Sequence, residues 1–128
     1  MKQVLVDSSV WIDYFSGGSH ADKLSELIEN NTICINDIIL TELLPFLYHK
    51  KEDKLAGLLL SVEKSPLKID WPRIVDFQGV NLRHGINKVG IPDLIIVQNL
   101  LDNDLELFSL DKHFLLMRKF FKFNMFHA

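Results

Sequence analysis

A chain of 128 residues, 48% hydrophobic with nine Phe, is long enough for one domain with a real core and too apolar for disorder. Its net charge of -3 gives no basic surplus for polyanions, and no run approaches the roughly 20 apolar residues of a membrane span. The single Cys34, between Ile33 and Ile35, excludes an intramolecular disulfide, and Met1-Lys2-Gln3-Val4 leads straight into an apolar run; a cytoplasmic protein without a signal peptide is expected.

Residues 3–6 read as a strand buried on both faces of a parallel sheet. Asp7, Ser8 and Ser9 can cap a short helix over Val10–Phe15, which Gly17 and Gly18 end. A helix is expected over 20–29, a strand over Thr32–Ile35, and a helix from Asp37 with a kink at Pro45. Another helix covers 52–63. Leu67–Trp71 alternates apolar and polar residues, as an edge strand does. The spacing of Val75, Gly79, Leu82 and Ile86 predicts a helix from Pro72 to Asn87 that buries those four. Gly90 breaks it, and Ile91–Leu101 is almost wholly apolar, which predicts a central helix. A strand over Leu105–Ser109, a short helix over Lys112–Arg118 and a last strand over Phe120–Phe126 follow. No repeat, linker or low-complexity tract divides the chain, so residues 1–128 form a single domain. Alternating strands and helices mean an α/β fold of parallel strands joined by right-handed crossovers. In such open sheets ligands collect at the carboxyl ends of the strands.

Four acids sit where solvated decoration does not belong. Asp7 ends Val4-Leu5-Val6, Glu42 interrupts Ile38–Leu44, Asp93 opens the Leu94–Val97 run, and Asp111 closes Leu107–Leu110. A carboxylate withdrawn from water costs several kcal/mol unless it is paired or holds a metal. Each acid has a plainer reading: Asp7 and Asp111 as helix caps, Glu42 in a salt bridge, Asp93 complementing a helix dipole. Together they make a hard-oxygen cluster without His or Cys, suited to one or two Mg²⁺ or Mn²⁺ ions and to phosphoryl chemistry. Ser9 and Ser109 are candidates to support it. With those acids set aside the remainder of the chain is slightly basic, so a nucleic-acid substrate is permitted.

Asp7-Ser8-Ser9-Val10-Trp11-Ile12-Asp13 resembles the opening motif of PIN-domain nucleases, especially the VapC-type toxins of bacterial and archaeal toxin–antitoxin pairs. Glu42, on the helix after the second strand, is similar in position to that family's second acid. Gly90–Ile96 resembles its third motif and Leu107–Phe114 its fourth, with Ser109 where Thr or Ser is usual. The resemblance spans residues 3 to 123. It implies a PIN-like three-layer sandwich whose central parallel sheet, of strand order 3-2-1-4-5, is flanked by helices. It implies metal-dependent endoribonuclease activity through Asp7, Glu42, Asp93 and Asp111, a homodimer, and inhibition by a VapB-like protein antitoxin. His113 stands where many relatives carry a further Asp, so a fifth acidic ligand is missing.

Arg83, Lys88 and Lys112 are candidate RNA phosphate contacts, against the plainer reading of solvated faces. Trp11, Tyr14 and Phe15 fall within one helical turn and suit packing better than base stacking. A receiver-like signalling domain is a rival of similar architecture. It requires an acidic pair after the first strand and a Lys after the fifth, and neither is present. A PIN-fold RNA- or protein-binding module without catalysis is the other alternative.

Overall fold

The computed structural model describes residues 2–127. At its centre lies β1 (Val4–Val6), every residue buried, as its unbroken apolar run requires. β2 (Ile33–Cys34) pairs with one side of β1 and β3 (Glu106–Phe108) with the other, Leu5 facing Cys34 and Leu107. β4 (Asn124–Met125) adds to β3, so the sheet has the order β2-β1-β3-β4 with all strands parallel. Among the described residues seven helices flank it: α1 (Ser8–Phe15), α2 (Ala21–Glu29), α3 (Asp37–His49), α4 (Asp53–Ser61), α5 (Trp71–Arg83), α6 (Ile91–Asn103) and α7 (Lys112–Phe121). α6 buries every residue from Leu94 to Leu100, which makes it the central helix that its composition predicts. Trp11 is fully buried beside Tyr14 and Phe15, so this aromatic group belongs to the core.

Three expected elements come out differently. The edge strand over Leu67–Trp71 does not form. Its place beside β2 holds only a bridge, Ile35 N–H donating to Glu63 O at 2.9 Å and Ser65 N–H to Ile35 O at 2.7 Å. Pro66 has no N–H for a ladder, and side chains of α6 satisfy the backbone beyond it. Gln98 donates to Lys68 O at 2.7 Å and accepts from Asp70 N–H at 2.9 Å, while Asn99 donates to Pro66 O at 2.9 Å. The segment therefore lies against a helix instead of joining the sheet.

The face of α5 is rotated from the expected one. Ile74 and Asn81 are its buried residues, with Phe77 packed edge-on against Phe121 at 4.9 Å, while Val75 and Leu82 are 71% and 64% exposed. The helix also stops at Arg83, because Gly85 turns the chain at φ +70°; Ile86 is buried beyond its end. Finally, the expected strand over Phe120–Phe126 is split. Phe120 and Phe121 complete α7, Lys122 caps it in the left-handed conformation, and only Asn124–Met125 pairs with β3.

Candidate active site

Parallel pairing of β1 with β3 brings the residues that follow them together at the carboxyl edge of the sheet. Asp7 donates its N–H to Phe108 O at 2.9 Å, next to Ser109. Ser109 Oγ donates to Asp7 Oδ2 at 2.8 Å, and Ser9 Oγ reaches the same oxygen at 2.9 Å. Both hydroxyls also accept: Ser9 from Leu110 N–H at 3.0 Å, Ser109 from Asp111 N–H at 3.0 Å. The two serines thus fasten one carboxylate oxygen and tie α1 to the loop after β3. Asp7 stands at the N-cap position of α1, yet its side chain makes no capping bond. Buried at 5% exposure, it is held for something other than the helix end.

Asp111 does cap α7, accepting from His113 N–H at 2.9 Å, so its plainer reading holds alongside any other role. His113 Nδ1 lies 3.1 Å from the same oxygen. Asp93 sits in the first turn of α6, half-buried, and Glu42 stands on the exposed side of α3. Glu42 has no Lys or Arg partner among the described residues, and neither has any of the other three acids. The salt-bridge reading of Glu42 therefore falls.

Two of the four acids are raised, in part by the charges of other members of the set. Loss of solvent and then repulsion from Asp7 and Asp93 push Glu42 up to about 7. Loss of solvent, then repulsion from Asp111 and Asp7, push Asp93 up to about 6, against a smaller lowering by His113. Carboxylates rise in this way where solvent is removed from them and charges of their own sign lie nearby. As they stand, however, no three Asp, Glu, His or Cys side chains among the described residues come close enough together to grip one ion. The set fits Mg²⁺ or Mn²⁺ by donor type and by uncompensated charge, while its side chains do not close around a point.

The basic candidates lie at the surface. Arg83 ends α5, Lys88 lies in the loop before α6 with φ 65°, and Lys112 opens α7 beside Asp111; all three are exposed and outside any ion pair among the described residues. The standing of His113 where relatives carry an Asp does not by itself reveal its contact with Asp111. An Asp followed two positions later by His at a helix start is the signal for it. A second group was equally hidden: Asn36 and Asn99 are fully buried and bonded to each other, Asn36 Nδ2 donating to Asn99 Oδ1 at 2.9 Å.

The sequence model of the PIN domain matches residues 4–119. No curated protein matches the sequence. Solved structures are similar in fold at low identity. A DNA-bound VapBC from Salmonella typhimurium shares 15% identity at a TM-score of 0.72, covering 99% of this chain and 98% of that one. VapBC2 from Rickettsia felis, bound to a fragment of its promoter, shares 19% at 0.67, with 96% of each chain covered. Mycobacterium tuberculosis VapC20, a toxin that cleaves the sarcin–ricin loop, shares 13% at 0.60, covering 89% of this chain and 94% of that one.

Proposed function

This chain belongs to the PIN-domain family, and from that premise we propose that it is a metal-dependent endoribonuclease toxin of VapC type, held in check by a VapB-like antitoxin. The observation that carries the proposal is the elevation of Glu42 and Asp93 by burial and then by neighbouring acids, Asp7 and Asp93 acting on Glu42, Asp111 and Asp7 on Asp93. The set has no Lys or Arg ion-pair partner among the described residues. One or two Mg²⁺ or Mn²⁺ ions, held by Asp7, Glu42, Asp93 and Asp111, would supply the charge that activates the attacking water and steadies the leaving oxygen.

The chain's own residues do the rest. Ser9 and Ser109 hold Asp7 in one orientation through Oδ2. Glu42 and Asp93 keep protons to unusually high pH and give them up when cationic charge arrives. Arg83, Lys88 and Lys112 offer exposed positive charge for RNA phosphates. Attack in line leaves a 5′-phosphate and a 3′-hydroxyl. Water as nucleophile needs no 2′-hydroxyl, so preference for RNA arises from binding. The antitoxin partner is supported by the VapBC complexes that share the fold; a homodimer and a cytoplasmic setting complete the proposal.

A fluorogenic single-stranded RNA tests it. Cleavage should need Mg²⁺ or Mn²⁺, cease with chelator and return on adding Mn²⁺. One observation favours a second reading, a PIN-fold module that binds RNA or protein without cutting: the carboxylates do not close around an ion. A folded protein that cuts no RNA at saturating Mn²⁺ would decide for the module.

A further inference from the structure

Outside the acidic crevice the described residues include a buried, connected set of polar side chains. Asn36 and Asn99 are 0% exposed, and Ser65 is 6%. Asn36 Oδ1 accepts from Ile39 N–H at 2.9 Å, capping α3, while its Nδ2 donates to Asn99 Oδ1. Asn99 Nδ2 in turn donates to Ser65 Oγ at 3.2 Å and Pro66 O at 2.9 Å. Apolar side chains of similar size would fill this space at less desolvation cost. A fully satisfied buried network instead fixes one arrangement of the elements it joins.

The placement of the pair says which arrangement. Asn36 lies six positions before Glu42 on α3, and Asn99 six positions after Asp93 on α6. The two helices pack together, so the Asn36–Asn99 bond ties the helix that carries Glu42 directly to the helix that carries Asp93. The hydrogen-bonded pair holds the helices together, while the two carboxylates repel and have no bond between them.

We propose that the Asn36–Asn99 hydrogen bond is a positioning device for the site: it fixes α3 against α6 and thereby sets the spacing between Glu42 and Asp93 despite their repulsion. The proposal rests on the metal-dependent nuclease reading for its effect on activity, and on the helix geometry alone for its effect on spacing. Without the bond, repulsion between the carboxylates is free to widen that gap. Misplacing a catalytic group by about 1 Å costs on the order of 100-fold in rate.

Asn36→Ser isolates the effect, because Ser caps a helix about as well as Asn but has no amide to reach Asn99. Ser65→Ala is the control: it trims the network and leaves the Asn36–Asn99 bond intact. Spin labels on cysteines introduced at Phe46 and Leu101, the exposed sides of α3 and α6, read the spacing. Cys34 stays unlabelled because burial, then Glu63, pushes its thiol up to about 12. Asn36→Ser should broaden the label distances, weaken Mn²⁺ binding about tenfold, and lower kcat by about 10–100-fold with KM for RNA unchanged. Ser65→Ala should match the parent in all three, and Asn99→Ala should repeat the Asn36→Ser result from the other helix. Unchanged distances, Mn²⁺ affinity and kcat in Asn36→Ser overturn the proposal. If the parent itself neither binds Mn²⁺ nor cuts RNA, the nuclease reading falls, and unchanged label distances would then dispose of the positioning device separately.

Discussion

Asp93 is a half-buried carboxylate with two acidic neighbours, Asp111 and Asp7, and only His113 to offset them. Removing its charge should therefore cost the fold nothing. Asp93→Asn is expected to reduce cleavage to the level of the chelator control while its Tm stays level or rises. Asp7→Asn should behave alike, since an amide oxygen can still accept from Ser9 and Ser109. Differential scanning calorimetry beside the RNA assay checks both. A variant that lost activity and melted well below the parent would mark the acid as a structural residue.

Among the elements, α5 gives the sharpest contrast, because neighbours on one helix have opposite fates. Ile74 is 4% exposed and Val75 71%. Ile74→Ala should cost about 2–5 kcal/mol, as truncations in a packed core do. Val75→Ala and Leu82→Ala should each stay within ~0.5 kcal/mol, as for surface positions generally. Urea unfolding of the three variants decides between the observed face and the one that spacing alone suggests. A cost for Val75→Ala comparable with Ile74→Ala would reverse the assignment. The stripe at 75, 79, 82 and 86 is a valid helical period. So is the stripe through 74, 77 and 81, and periodicity cannot choose the phase when both contain apolar residues. Packing of Phe77 on Phe121, which lies 44 positions away, makes the choice.

For the molecule as a whole, the site couples folding to protons and metal. Glu42 moves from the ordinary 4.5 to about 7 and Asp93 from 3.8 to about 6. Across that interval the native chain holds protons that the unfolded chain has released. Stability of the metal-free protein should consequently fall as pH rises from about 4 to about 7. A dication that binds only the native state reverses the penalty, adding about 2.7 kcal/mol at 100 times its dissociation constant. Melting curves across this range, with chelator and then with Mn²⁺, should show a downward slope that the metal flattens. An upward slope without metal would mean that the four acids are compensated in solution.

Sequence alone was enough for the alternation of strands and helices, the central apolar helix, and the four acids at the ends or in the middle of apolar segments. These follow from local rules, because burial on both faces demands unbroken apolar runs and a charge beside them is costly. The structure had to decide everything that depends on distant partners. It turned Leu67–Trp71 from a strand into a segment bonded by Gln98 and set the buried face of α5. It also joined Asn36 to Asn99 across 63 positions of chain. A polar residue in an apolar stretch announces that it needs a partner; only the packed molecule supplies one.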